Sequence, residues 1–212
     1  AGRSEGYNAR RIASANSDDD GWRRHGLQAS AGVALAPGQR LEAALLAHRL
    51  RSGYDGFSAT DDDQSTHTLR TAGLTWSGRW SEASDSRVQL GESFVTYESQ
   101  PSFYRTETTL RHLLLQHRQR FGDQVIGVLA ERREDRLLNP ATDFTPTLSG
   151  RRHQDALAFS WLGGVGAHQL QAHLRHDQDS EFGGQATGSL AWGLDLDGGW
   201  RLSASAATAF RA

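Results

Sequence analysis

Alternation with a period of two is the feature that most restricts what this chain can become. Leu27, Ala29, Ala31, Val33 and Leu35 alternate with Gln28, Ser30, Gly32 and Ala34. The same beat returns in Leu170, Ala172 and Leu174, in Leu190, Trp192, Leu194 and Leu196, and in Trp200, Leu202, Ala204 and Ala206. Such a pattern gives an extended strand one apolar and one polar face. Helical spacing competes only at Leu110 to Arg120, whose neighbours on both sides read as strand.

The connections between these runs alternate in length. Short turns fall at Pro37-Gly38, Ala83-Ser84-Asp85, Gly122-Asp123, Gly164-Val165-Gly166 and Asp197-Gly198-Gly199. Longer polar loops are expected over 12–21, 55–67, 98–107, 138–152 and 177–187. The pattern predicts about eleven strands, at 3–7, 22–35, 40–53, 67–80, 86–97, 107–121, 124–137, 153–163, 168–177, 186–196 and 200–211. Tight turns at one end and long loops at the other describe an all-β, antiparallel up-and-down transmembrane β-barrel. A soluble meander or sandwich would use the same apolar face as its core. Strands of ten to fifteen residues, against the usual five or six, favour the barrel, as does the asymmetry sustained through successive hairpins. Bacterial barrels have even strand counts, so an odd number fits a segment, with both edges unpaired.

Composition narrows the alternatives. Only 37% of the 212 residues are hydrophobic, and no apolar run approaches the ~18 residues of a spanning helix. A net charge of −2 gives no reason to expect a nucleic-acid partner. All 23 basic residues are Arg, and the absence of Cys removes disulfides and thiolate metal sites. Met is absent even at residue 1, so the chain reads as an internal piece, 1–212, of something longer. No catalytic motif stands out, so an enzyme is not expected.

Two acidic clusters stand about forty residues apart, Asp18-Asp19-Asp20-Gly21-Trp22 and Tyr54-Asp55 with Asp61-Asp62-Asp63. The hairpin between them, turning at Ala36-Pro37-Gly38-Gln39, returns the second cluster to the end of the sheet that holds the first. Carboxylates converging from neighbouring loops suit a hard cation such as calcium, which takes ~6–8 oxygens. Asp-Asp-Asp-Gly by itself is also a common solvated turn. An EF-hand is excluded, because its twelfth position is Leu27 and no helices flank it.

Other residues have structural readings. His112 and His117 are five apart on a strand and face opposite sides, which rules out a shared zinc. Trp76, Trp80, Trp161, Trp192 and Trp200 sit near strand ends, as interface girdles do. Arg132-Arg133 and Arg151-Arg152 read as rim charges able to meet lipopolysaccharide phosphates.

The stretch Arg175-His176-Asp177-Gln178-Asp179-Ser180-Glu181-Phe182-Gly183-Gly184 resembles a strand–loop–strand signature of TonB-dependent outer-membrane receptors. The ending Thr208-Ala209-Phe210-Arg211-Ala212 is similar to that family's "TAFRA" strand. Within the family, Asp18-Asp19-Asp20-Gly21-Trp22 and Arg51-Ser52-Gly53-Tyr54-Asp55 are most similar to the loops of cobalamin receptors. The resemblance covers essentially the whole chain. It implies about half of a 22-stranded barrel in a Gram-negative outer membrane, with the plug domain absent and TonB engaged through a missing N-terminal region. It also implies cobalamin as ligand, with calcium ordering the early loops. Carried over by position, the calcium ligands are Asn8, Asp18, Asp20, Tyr54, Asp55, Asp61 and Asp63. Asn8 replaces an acid of the family and costs one negative charge. Outer-membrane lipid and lipopolysaccharide are the implied surroundings. A ferric-siderophore receptor of the same family and a soluble calcium-dependent β-sheet binding module remain as alternatives.

Overall fold

The computed structural model describes residues 1–7, 19–55 and 62–210. They form one eleven-stranded sheet in which every strand pairs only with its neighbours in sequence. The strands are β1 (Gly2–Ser4), β2 (Trp22–Ala36), β3 (Gln39–Asp55), β4 (Asp62–Ser81), β5 (Ser84–Gln100) and β6 (Tyr104–Phe121). Then come β7 (Gln124–Asn139), β8 (Leu148–Val165), β9 (His168–Asp179), β10 (Gly183–Asp195) and β11 (Arg201–Ala207). All pairings are antiparallel, which makes an up-and-down meander. Leu110 to Arg120, where helical spacing competes with strand, is the middle of β6. It resists the two-residue rule because Leu114, between Leu113 and Leu115, belongs to the polar face.

None of the described residues covers the apolar face. Ala156 is the only buried hydrophobic residue among those described, while Leu27, Leu45, Leu157, Leu174 and Leu190 are each more than half exposed. The surface totals 14714 Å² for 23.2 kDa, whereas a compact protein of that mass exposes about 9,700 Å². A soluble sandwich would hide these side chains under a second layer, and the described residues form a single sheet. Directly opposed residues share a face, so the register assigns each side chain. The outer face carries Val33, Leu41, Leu45, Trp76, Leu74, Val88, Leu90, Leu115, Phe159 and Leu174. The other, lumenal, face carries Ser30, Thr75, Gln89, Gln116, Ser160 and Gln171.

The upper limit of the apolar belt runs obliquely across the sheet. One row of paired residues passes from Leu41 through Trp76, Val88, Leu115, Ala130 and Leu157 to His176. On β9 that row has reached the first polar outer residue. On β3 the first is Arg49, eight residues beyond Leu41. Eight residues at ~3.3 Å over six strand spacings of ~4.8 Å correspond to about 40°. Strands of a membrane barrel tilt by ~35–45°. The belt is level with a bilayer only if these strands lean as barrel strands do.

The short turns lie at one end, where the belt meets its aromatic rim. The bend at Pro37-Gly38 needs glycine: φ is +75°, and a Cβ would lie 2.6 Å from the carbonyl oxygen of Arg79. Trp76, Trp80, Phe121, Trp161 and Trp192 stand along this end, and three indole N–H groups are satisfied by side chains. Trp80 donates to Ser86 at 2.8 Å, Trp161 to Gln124 at 3.2 Å and Trp192 to His168 at 3.0 Å. His117, on the outer face, meets Ser86 at 2.8 Å, while His112 points to the lumen.

The opposite end differs from expectation. Of the segments expected as loops over 55–67, 98–107 and 177–187, the described residues 55 and 62–67 are strand. Residues 98–107 are strand but for the turn 101–103, and 177–187 are strand but for the turn 180–182. Residues 56–61 and most of the expected loop 12–21 lie outside the described residues. β4 alone is 20 residues long, about twice what crosses a bilayer. The asymmetry of the two ends lies in how far the strands run past the belt. Only the β7–β8 connection, 140–147, is a longer described loop.

Candidate binding surfaces at the loop end and on the lumenal wall

The β2–β3 hairpin brings the two acidic segments together. Gly53 N–H donates to Gly21 C=O at 2.9 Å, and Asp20 Oδ1 would lie 3.4 Å from a Cβ placed on Gly53. Asp55 stands opposite Asp62 on the outer face, while Tyr54 stands opposite Asp63 on the lumenal face. The implied calcium ligands are therefore divided by the sheet. Asp20 and Asp55 share one side, whereas Tyr54 and Asp63 point to the other. Asp63 is 3% exposed and accepts the Ser102 N–H at 2.9 Å. Ser99 Oγ–H donates to Ser102 C=O at 2.7 Å, so Asp63 and Ser99 clasp the 101–103 turn from both sides. Burial raises the Tyr54 phenol above its ordinary pKa, with the Asp63 carboxylate alongside acting the same way. Asn8, Asp18 and Asp61 lie outside the described residues. Among the described residues no group of three His, Cys, Asp or Glu is placed to hold a metal.

One atom in this cluster fits a cation. Asp55 Oδ2 is buried with no hydrogen-bond partner, and a buried carboxylate oxygen without a donor is costly. Asp62, directly opposite, adds like-charge repulsion. Asp55 and Asp62 are the described carboxylates a cation would draw on here, a pair and not a full ligand set.

The second surface was not anticipated from the sequence. On the lumenal face Glu131, its side chain 5% exposed, receives Arg133 at 2.6 Å and His112 at 3.1 Å on Oε1. Its Oε2 receives Arg175 at 2.8 Å. Arg175 also forks onto Asp177, with Nε donating at 2.9 Å and Nη2 at 2.8 Å. The Asp177 Oδ1 additionally accepts from Gln154 at 2.7 Å. Further towards the loops, Arg152 meets Asp179 at 2.7 Å and lies 5.0 Å over the Phe182 ring. Arg152, with the backbone N–H groups of Glu181 and Phe182, holds the Asp179 carboxyl below its ordinary pKa. A lumenal groove of about 550 Å³ lies against this network, lined by Thr71, His112, Arg133, Arg152, Gln154 and the carboxylate of Asp135, directly opposite Arg152. The Arg133 side chain is 57% exposed and Arg152 36%, so both present donors to the groove.

The doublets Arg132-Arg133 and Arg151-Arg152 held the available signal. Strand alternation sends one member of each outward and the other inward. Arg132 and Arg151 face out, against Asp155 at 2.9 Å and Glu134 at 3.4 Å, while Arg133 and Arg152 face the lumen.

Comparison with known proteins places the fold. No protein-family model matches the sequence, and no curated protein matches it. Solved structures do. The siderophore receptor PirA from Pseudomonas aeruginosa superposes with a TM-score of 0.78 at 21% identity, over 92% of this chain and 34% of that one. A variant of the ferric enterobactin receptor PfeA from Pseudomonas aeruginosa gives 0.76 at 15% identity, over 96% and 35%. The ferric citrate transporter FecA gives 0.65 at 12% identity, over 88% and 36%. The chain spans about a third of the length of these structures. Its fold is that of a contiguous segment of a TonB-dependent receptor barrel.

Proposed function

We propose that this chain is part of the wall of a Gram-negative outer-membrane receptor that takes up a ferric siderophore with energy relayed by TonB. The supporting observation is the lumenal face, where the exposed Arg133 and the half-buried Arg152 line a groove of about 550 Å³. Ferric chelates built from carboxylate, catecholate or hydroxamate groups are polar and often anionic. Guanidinium forks pair with such oxygens through charge-assisted hydrogen bonds. Structural neighbours that carry ferric enterobactin and ferric citrate favour this ligand class over a corrin. The test is uptake of radiolabelled ferric siderophores by cells expressing the whole receptor, with and without TonB. Arg133→Ala with Arg152→Ala is expected to weaken ligand binding about 10-fold or more, each lost charged hydrogen bond costing ~1.5–3 kcal/mol. Unchanged affinity for every ferric chelate tried would remove the reading.

A second reading, cobalamin uptake with calcium-ordered loops, draws its support from Asp55 Oδ2 and the adjacency of Asp20 to Gly53. A bound calcium would neutralise carboxylates that otherwise repel and tie β2 to the β3–β4 end. Calorimetric titration with calcium alone tests it. Binding in the micromolar to millimolar range that disappears in Asp55→Asn supports it, and no heat in the unaltered protein ends it.

A further inference from the structure

One carboxylate oxygen in the lumenal network is shared between a guanidinium and an imidazole. Glu131 Oε1 receives Arg133 at 2.6 Å and His112 Nε2 at 3.1 Å, while Arg175 holds Oε2 at 2.8 Å. A carboxylate between two arginines stays ionised and can only accept, so the His112 Nε2 carries a proton and donates it. That fixes the tautomer of the neutral ring, whose lone pair is left on Nδ1. Among the described residues Nδ1 has no partner. The side chain is 37% exposed and lines the lumenal groove.

The charges around the ring decide what Nδ1 can do. β5 presents Gln89, Gly91 and Ser93 to this face and β6 itself presents Leu110 and Leu114, none of which titrates. β7 contributes Glu131, Arg133 and Asp135, β8 contributes Arg152, and β9 contributes Arg175, Asp177 and Asp179. Glu181, in the turn after β9, adds its charge near Arg152. Glu92, Arg111 and His153 also border the groove, but the register places them on the outer face, where Arg111 meets Glu92 at 2.6 Å. On the lumenal strands, four carboxylates therefore face three guanidinium groups. While His112 is neutral, an anion in the groove meets a lone pair on Nδ1 and an excess of negative charge. One proton reverses both, because Nδ1–H becomes a donor and the ring supplies the missing positive charge. Arginine keeps its proton at any accessible pH, so the imidazole is the group of this cluster that changes charge between about pH 5 and 8.

We propose that His112 is a ligand-binding residue of this groove: protonated, it holds an anionic ferric chelate through Nδ1–H beside Arg133 and Arg152. This role rests on the reading of the chain as part of a ferric-chelate receptor. Binding is then tight in acid and weakens as pH rises through the imidazole range, near ~6.5. By linkage, the chelate strengthens proton binding by the same factor, so its binding near neutral pH draws a proton from the buffer.

The test uses the whole protein in neutral detergent, with ferric enterobactin and ferric citrate as probes. Affinity is expected to be about 10-fold higher at about pH 5.5 than at about pH 8, the effect of one charge-assisted hydrogen bond. His112→Gln keeps a donor for Glu131 without the charge, and should abolish the pH slope at the weak limit. His112→Arg, permanently charged, should abolish it at the tight limit. His117→Gln, on the outer face, should keep the parent slope. Comparing parent with His112→Gln at each pH cancels any change in the chelate itself. Calorimetry of the unaltered protein in two buffers of different ionisation heat reads the proton directly and needs no variant to fold. This role for His112 is overturned if affinity is equal at both pH values, if His112→Gln keeps the parent slope, or if binding takes up no proton. Each of those results leaves the receptor reading standing. If neither chelate binds at any pH, the receptor reading fails and the role of His112 with it.

Discussion

The two ends of this sheet obey the same hydrogen-bonding rules under different solvents. At the short-turn end one face meets oil and the other water, and the side chains alternate accordingly, with indoles anchored at Ser86, Gln124 and His168. At the loop end both faces are wet. The strands continue there, Asp62 to Ser65 in β4 and Arg151 to His153 in β8, but alternation stops, and in β8 ion pairs take over. Backbone pairing needs no two-faced sequence; only the oil–water contrast imposes one.

Three experiments on the whole protein would break or sharpen that contrast. The largest effect belongs to the belt. Leu45→Arg puts a cation on the outer face amid the apolar residues of β3 and is expected to destabilise folding into lipid vesicles by ~2–4 kcal/mol. Thr68→Arg, beyond the belt on β4, should cost ~0–1 kcal/mol by the same equilibrium titration. Equal costs at the two sites would mean that the belt does not face lipid.

Next comes the lumenal network. Glu131→Ala removes the carboxylate shared by Arg175, Arg133 and His112. Loss of a buried partner costs ~3–5 kcal/mol when the surviving charge is fully enclosed. Because these arginines are partly hydrated, ~1–3 kcal/mol is expected from denaturant unfolding. Glu92→Ala, which releases the exposed Arg111, should stay below ~1 kcal/mol.

The smallest effect is confined to one turn. The Asp179 carboxyl is held below its ordinary pKa by Arg152 and two backbone donors. A depressed folded-state pKa contributes order that is complete above the ordinary carboxylate value and lost as pH falls through the depressed one. Exchange protection of the Glu181 and Phe182 amides, corrected for intrinsic rates, should therefore hold at neutral pH and fade in acid. Asp179→Asn should lower that protection already at neutral pH while leaving β9 unaffected.

What could be read from the sequence follows the same division. Alternation from Leu27 to Leu35 and from Leu190 to Leu196, with glycine turns such as Gly38 and Gly122, discloses eleven strands and their order. Those signals are local, a few residues long, and enforced by lipid. The extent of β4 and β5 beyond the belt was hidden, because Asp62-Asp63-Gln64-Ser65 looks like any hydrated loop. The Glu131 network was hidden for another reason: Arg175 lies 44 residues from its partner, and only the register unites them. The acidic segments at Asp20 and Asp55 do meet, as the hairpin required. The two-faced sheet then turns Tyr54 and Asp63 away from Asp55, a parity that counting along the chain could have supplied.

The oblique edge of the belt means that every hairpin is cut to its own latitude. Transplanting the β8–β9 hairpin into the place of β3–β4 would preserve inside and outside. It would nevertheless put the grafted leucines several ångströms out of line with the hydrocarbon. Barrels of this kind can therefore exchange loops freely between neighbours, but whole staves only with the stave that occupied the same place on the circumference.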